Sequence, residues 1–259
     1  MSTRLIMHGA SGRMGRRILA LALEDPDSFT IAAGVDREAG SLLQLGIACD
    51  APLLDALPTD PGAVVIDFST ATAVESVVAH CASHGMPLGI GTTGTDPDAI
   101  APILDEAAKQ IPVLHAPNMS VGVNVVFEIA ARIATTLGED YDIEVVEAHH
   151  KHKLDAPSGT ALGLTDAICD ATGRGRTDLV HGREGHTGER RRGEIGVHAL
   201  RMGDVVGDHT AYFVGNGERI LLGHMAHTRD IFASGALRVA RFLDGQAPGH
   251  YTMKDVLGL

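Results

Sequence analysis

The densest run of chemically capable side chains is Glu147-Ala148-His149-His150-Lys151-His152-Lys153. Histidine titrates near neutral pH and serves as a general acid or base. Lysine supplies a compact positive charge suited to a carboxylate. Together they describe a pocket that binds an anion and delivers a proton. The run follows a strand-like segment, and strand alternation places His149, Lys151 and Lys153 on one side for as long as the strand lasts. Three histidines also raise a metal site, but the interleaved lysines repel a divalent cation, and no H-E-x-x-H pair or cysteine partner accompanies them, so no metal is expected. A solvated basic face is the plain alternative for any charge run. Next comes Asp155-Ala156-Pro157-Ser158-Gly159-Thr160-Ala161. Gly159 and Thr160 fall in the first turn of a helix, with amides open to a carboxylate. Taken alone this is a capped helix with Pro157 near its start; its closeness to the His/Lys run points to a shared site.

A second constellation lies near the start of the chain. Gly9-Ala10-Ser11-Gly12-Arg13-Met14-Gly15 separates a strand-like segment from a helical one. Glycines there let the backbone approach a pyrophosphate, and the helix start offers free amides and a positive dipole end. Ser11 occupies the second position of the commoner G-x-G-x-x-G pattern, so the motif alone is also a tight turn. Asp36 strengthens it by ending the next strand about 20 residues on, where a carboxylate holds the adenosine ribose hydroxyls. The reading is dinucleotide binding. Gly89-Ile90-Gly91-Thr92-Thr93-Gly94 and Ala116-Pro117-Asn118-Met119 each follow later strands. Both fit the nicotinamide end of a dinucleotide or an ordinary strand-to-helix connection. Arg183-Glu184-Gly185-His186-Thr187-Gly188-Glu189-Arg190 fits a mobile basic lid or a solvated loop.

These residues need elements to hold them. The first half alternates apolar runs (Leu5-Ile6-Met7, 31–35, 63–68, 87–90, Val113-Leu114-His115) with amphipathic segments. Such alternation predicts a parallel sheet with helices on both faces. Thr72 and Glu75 have capping-box spacing ahead of Val74, Val77, Val78 and Cys81. After Asn118 the pattern changes. Val125, Ile129, Ile133 and Leu137 mark a helix, and 142–148 alternates as a half-exposed strand does. A helix is expected from near Ser158 to Thr172, stopping at Gly173. Residues 174–193 read as a loop, and 194–201, 205–214 and 219–226 as strands of an antiparallel or mixed sheet. Residues 231–243 form a final long helix.

At 259 residues the chain is long enough for two domains. The net charge of −12 repels nucleic acid and anionic membranes, and the absence of Trp leaves little for base stacking. No stretch is expected to have the length and apolarity needed to cross a bilayer. No signal peptide is read in Met1-Ser2-Thr3-Arg4-Leu5-Ile6. The scattered Cys49, Cys81 and Cys169 fit a reducing, cytoplasmic setting.

Taken together these segments resemble the 4-hydroxy-tetrahydrodipicolinate (dihydrodipicolinate) reductase family. The glycine loop, Gly91-Thr92-Thr93-Gly94, Asn118-Met119-Ser120-Val121-Gly122-Val123-Asn124, the run from Glu147 through Ala161, the 183–190 loop and the 232–236 region match in order over nearly the whole chain. The block E-A-H-H-K-H-K-x-D-A-P-S-G-T-A is the most specific. The resemblance implies a Rossmann-like doubly wound domain over 1–119, completed by 230–259. It also implies an α+β domain over 120–229 that binds substrate and builds a homotetramer. It implies hydride transfer from NADH or NADPH to a cyclic dicarboxylate, giving tetrahydrodipicolinate. His149 becomes the proton donor or acceptor and Lys153 a proton donor beside a substrate carboxylate, while His150, Gly159 and Thr160 hold substrate. Gly9, Ala10, Ser11, Gly12, Arg13, Met14, Asp36, Gly91, Thr92, Thr93, Ala116, Pro117, Asn118 and Met119 hold cofactor. Arg37 stands where the family often has a basic residue near the adenosine 2′-position. Met119 replaces a frequent Phe and Asp36 a Glu. Asp36 and Arg37 pull cofactor choice in opposite directions, so use of both cofactors with a modest lean to NADH is expected. A non-catalytic dinucleotide sensor would not need His149 and Lys153 together; another imine or keto-acid reductase on the same scaffold remains the competing reading.

Overall fold

The computed structural model describes residues 2–259. In chain order the elements are β1 (Thr3–His8), α1 (Arg13–Glu24), β2 (Phe29–Val35), β3 (Gly40–Ser41), β4 (Pro52–Leu54), β5 (Ala63–Asp67), α2 (Val74–Ser83), β6 (Leu88–Ile90), α3 (Pro97–Ala107) and β7 (Pro112–His115). They continue with α4 (Val121–Leu137), β8 (Asp142–His149), α5 (Gly159–Thr172), β9 (Leu179–His181), β10 (Ile195–Arg201), β11 (Gly207–Val214), β12 (Arg219–Ala226), α6 (Asp230–Leu243), β13 (Gly249–Tyr251) and α7 (Met253–Leu257). The chain divides into two compact units: the residues up to Val121 together with Asp230–Leu259, and Gly122–Arg229.

The first unit is built on an eight-stranded sheet of order β13-β7-β6-β5-β1-β2-β4-β3. All neighbouring pairs are parallel except β3 with β4. Strands buried on both faces read as continuous apolar runs, and here alternate residues fill two cores. Leu5, Met7, Val64 and Ile66 face α1 and α6, packing with Ile18, Leu19, Ala236 and Val239. Ile6, Val65, Leu88 and Val113 face α2 and α3, with Val77, Cys81, Ile100 and Leu104. The chain steps from β1 to β2 on one side, then returns to place β5 on the other. The carboxyl ends of β1 and β5 therefore flank the point where strand order reverses, the place where such sheets bind ligands. The doubly wound sheet expected from the sequence is present. The Thr72/Glu75 capping box is not: a 3₁₀ turn, Ala71–Ala73, precedes α2, and Thr72 Oγ1 pairs with Thr70 Oγ1 at 3.1 Å instead.

The second unit carries a five-stranded sheet of order β12-β11-β8-β10-β9. It is mixed: β10 runs parallel to β8 and β9, and β11 antiparallel to β8 and β12. One face buries Ile143, Val145, Val197, Ala211 and Phe213 against α4 and α5. The stripe by which α4 packs is Val126, Ala130 and Ala134, joined by Ile133 and Leu137, whereas Ile129 is 40% exposed. The helix marked by Val125, Ile129, Ile133 and Leu137 is present, and of these Ile133 and Leu137 reach the core while Ile129 does not, because α4 is apolar on more than one side. That breadth also corrects the membrane expectation. Val121–Asp140 reaches the length and mean hydropathy (1.3) of a spanning helix although Asn124, Glu128 and Arg132 interrupt it. Residues 174–193 are not all loop, since Arg176–Asp178 form a 3₁₀ turn and β9 adds an edge strand.

Candidate active site

In the first unit, β1 ends at His8 and the glycine loop follows. Gly9 has φ +82°, and a Cβ there would meet the backbone of Phe68 at the end of β5. A Cβ on Gly15 would meet Gly9 O and lie 2.8 Å from Ala10 Cα, so α1 approaches the loop closely only with glycine. Gly12 caps α1 without a side-chain hydrogen bond, leaving the first helical amides, those of Arg13 and Met14, without an intrahelical acceptor. A cavity of ≈ 700 Å³ opens here, bordered by Gly9, Ser11, Gly12, Asp36, Arg37 and Phe68, a size ordinary for cofactor sites. Asp36 bridges its rim: Oδ2 accepts from the Ser11 amide and Oδ1 from the Arg37 amide, each at 2.8 Å. Partial burial would raise the Asp36 carboxyl, but these amides outweigh it and hold it below the usual range.

Other sequence-selected residues stand elsewhere in this unit. The Ala10 side chain lies in the core, and Met14 packs against that core. Arg13, Thr93 and Pro117 are exposed. Thr92 is buried; its hydroxyl donates to Asp67 Oδ2 at 2.5 Å and accepts from the Ser69 amide at 2.8 Å. Gly91 has no room for a Cβ beside the Phe68 ring. Ala116 and Met119 are buried, Met119 packing in the core with Ala233 and Ala236, and Asn118 Oδ1 accepts from the Ser120 amide at 2.9 Å. None of Gly91, Thr92, Thr93, Ala116, Pro117, Asn118 or Met119 borders the cavity.

In the second unit, β8 delivers Glu147 and His149 to the inner, apolar face of the sheet. Acidic residues at 142 and 144 face outward, but Val145-Val146 breaks the phase, and Glu147 lands inside, fully buried. Its Oε2 accepts from His149 Nδ1 at 2.6 Å, and Arg201 of β10 clamps both oxygens at 2.9 Å. Burial would raise the Glu147 carboxyl; Arg201, His149 and the Ser158 amide outweigh it and hold it low. Ser158 caps α5, accepting from the Ala161 amide at 3.1 Å, while its own amide donates to Glu147 Oε1 at 3.1 Å. Gly159 has open space where a Cβ would stand. His209 of β11 lies edge-on to His149, with ring centroids 5.1 Å apart, and meets Ser158 Oγ at 2.9 Å through Nε2. Burial, reinforced by His149, pushes His209 down to about 4.

The strand ends at His149, so alternation stops there. Lys151 and His152 occupy an exposed turn, and Lys151 is not grouped with His149. The Lys153 amide donates to His150 O at 3.1 Å, and its ammonium pairs with Asp155 at 2.9 Å. Lys153 and His149 both act on the charge of His209. His150 borders a ≈ 500 Å³ recess with Lys151, His152, Gly203 and Asp204. The arginine loop is anchored at its base: Arg183 pairs with Glu144 at 2.9 Å and Glu194 at 2.6 Å, and Arg190 donates to the carbonyls of Ile143 and Glu194. Its tip, 184–189, is open to solvent throughout.

Against known proteins, the family model described as "Dihydrodipicolinate reductase, N-terminus" matches residues 3–119, and that described as "Dihydrodipicolinate reductase, C-terminus" matches residues 122–257. The chain belongs to the dihydrodipicolinate reductase family. It is 48% identical to the 4-hydroxy-tetrahydrodipicolinate reductase of Myxococcus xanthus, across 98% of this chain and 97% of the relative. It is 47% identical to that of Thiobacillus denitrificans, across 100% of both. The dipicolinate-bound dihydrodipicolinate reductase from Paenisporosarcina sp. TG-14 shares the fold, with a TM-score of 0.75 at 22% identity over 98% of this chain and 99% of that one. GenD2 from gentamicin A biosynthesis, solved in complex with NAD, does so at a TM-score of 0.62 and 16% identity, over 99% and 90%.

As a member of the dihydrodipicolinate reductase family the chain is an oxidoreductase. Asp67, Arg201 and His209 lie outside the motifs that the sequence displays. Asp67 carries a signal, a carboxylate closing a fully apolar strand. Arg201 and His209 carry none, since they reach Glu147, His149 and Ser158 only through the pairing of β10 and β11 with β8.

Proposed function

We propose that this chain catalyses the NAD(P)H-dependent reduction of 4-hydroxy-tetrahydrodipicolinate, by way of dihydrodipicolinate, to tetrahydrodipicolinate in lysine and diaminopimelate biosynthesis. The observation that carries the reading is the Glu147–His149 pair beside the capped start of α5, in a chain whose curated relatives bear that reductase name over their full length. The glycine-loop cavity, its open helix amides and the Asp36 carboxylate fit a dinucleotide. Gly9, Ala10, Ser11, Gly12, Arg13 and Met14 hold its pyrophosphate, and Asp36 and Arg37 its adenosine end. Gly91, Thr92, Thr93, Ala116, Pro117, Asn118 and Met119 form the loops at its nicotinamide end. The bound nicotinamide supplies the hydride. His149 moves the proton; Lys153 offsets a substrate carboxylate and donates in turn; His150, Gly159 and Thr160 hold the second carboxylate and the ring. Both cofactors serve, NADH somewhat better.

The working form in this reading is a homotetramer. β12 is an edge strand of eight residues, with Leu221 at 52% and Met225 at 65% exposure, and apolar edges of this kind are normally covered. Free thiols at Cys49, Cys81 and Cys169 support a cytoplasmic setting. The deciding assay follows loss of reduced-nicotinamide absorbance when the product of a coupled dihydrodipicolinate synthase reaction is supplied. A rate no different from the enzyme-free control rejects the function.

A further inference from the structure

The buried carboxylate of Glu147 has every acceptor position in use. Oε2 takes His149 Nδ1 at 2.6 Å and Arg201 at 2.9 Å; Oε1 takes the Ser158 amide at 3.1 Å and the second Arg201 nitrogen at 2.9 Å. An ionised carboxylate only accepts, so each partner must donate. His149 therefore carries hydrogen on Nδ1 whether it is neutral or protonated, and Nε2 is the nitrogen that gains and loses a proton. Nε2 has no hydrogen-bond partner among the described residues. Across the sheet, Gly207 of β11 faces it: a Cβ there would stand 3.0 Å from Nε2 and 3.4 Å from Cδ2. Gly207 lacks the left-handed backbone that would by itself call for glycine, so the clearance around Nε2 is what the missing side chain provides.

We propose that Glu147 is a positioning residue that locks His149 in the Nδ1–H tautomer and registers it against the carboxylate-binding start of α5, while Gly207 keeps Nε2 uncovered for the substrate. The inference rests on the reading that His149 moves the proton. One carboxylate holds both the imidazole and the Ser158 amide, so proton donor and anion-binding turn are fixed to a common point. Arg201 makes this sustainable, since a buried carboxylate without a partner is costly, and it also donates to Asp155 O at 2.6 Å. The charged and titratable groups facing His149 are Glu147 on its own strand, Arg201 on β10, His209 on β11 and His150 beside it, while Lys153 and His224 act on His209.

The test combines kinetics with ¹⁵N NMR of histidine-labelled protein. Wild type should show the Nδ1–H tautomer for His149 at alkaline pH. Glu147→Gln, which can either donate or accept, should mix the tautomers and lower kcat roughly 10-fold or more. It should leave the dinucleotide KM in place, and the alkaline limb of the kcat profile should move to lower pH, because a carboxylate beside an imidazole favours its protonated form. Gly207→Ala should lower kcat with the tautomer intact. An Nε2–H tautomer in wild type overturns the proposal, as do a wild-type kcat and pH profile in Glu147→Gln. If Glu147→Gln does not fold, the wild-type tautomer and Gly207→Ala decide, and full activity in Gly207→Ala counts against it. His149→Gln separates the two layers. Full turnover there defeats the proton-transfer reading itself; lost turnover there beside an unaffected Glu147→Gln defeats only the positioning role.

Discussion

The Asp36 carboxylate accepts the Ser11 amide at 2.8 Å and so ties the end of β2 to the glycine loop. This gives Asp36 two tasks, ribose binding and loop support, and it separates the two substitutions that probe cofactor choice. Arg37→Ala should lower kcat/KM for NADPH about 10-fold, the loss of one charge-assisted phosphate contact, with NADH almost unchanged. Asp36→Ala should weaken both cofactors through the loosened loop, and NADH more. Side-by-side kcat/KM values check this. Equal losses for both cofactors in Arg37→Ala mean that Arg37 does not read the 2′-phosphate.

Lys153 is held by the exposed Asp155 at 2.9 Å, an ion pair that a substrate carboxylate can replace. Lys153→Ala should cut turnover roughly 10²-fold, while Asp155→Asn changes it little. Pyridine-2,6-dicarboxylate should compete with substrate, and the corresponding monoacid should bind far more weakly. Equal inhibition constants would reject a site with two carboxylate positions.

Acid should destabilise the fold before its carboxylates titrate. His209 is held at about 4 by burial and by His149, against an ordinary 6.5. On acidification the unfolded chain binds this proton first, so the contribution is complete above about pH 6.5 and is lost as pH falls toward 4, by on the order of 3 kcal/mol. Urea melts between pH 7.5 and 5 should show the decline, and His209→Gln should flatten most of it. His115 and His224, also lowered by burial, leave a smaller slope. An unchanged slope in His209→Gln means the ring is not buried neutral.

Charge on the β12 edge should break the assembly. Leu221 and Met225 lie on the same side of the strand, two positions of alternation apart. The double change Leu221→Lys with Met225→Lys should shift the mass seen by light scattering from tetramer to smaller species while leaving the far-UV spectrum intact. A wild-type chain that is monomeric across its working concentrations refutes the tetramer.

Legibility in the sequence followed locality. The glycine loop, the α5 start at Ser158 and its stop at Gly173 are set by residues within a few positions of each other, and strand and helix alternation fixed the sheet type. Features set by pairing between distant strands were not legible. Arg201 and His209 meet Glu147 and His149 across 50 or so residues, as order of magnitude, and no spacing rule reaches that far. The place of Lys151 is not legible because spacing does not say where β8 stops, and it stops at His149. The helix α4 is legible but its packing face is not, because an element apolar on several sides offers periodicity more than one solution.

The unit holding the glycine loop is assembled from two stretches of chain, with α6, β13 and α7 arriving after all of Gly122–Arg229. During synthesis, at about 5–20 residues per second, the internal unit is complete first. Until the last thirty residues emerge (230–259), β7 has an open edge where β13 will pair, and the apolar face beneath α6 is uncovered. The unit made from the start of the chain is therefore the later of the two to close, and for that interval it carries an unpaired strand edge and uncovered apolar surface, the features that make a nascent chain prone to aggregate.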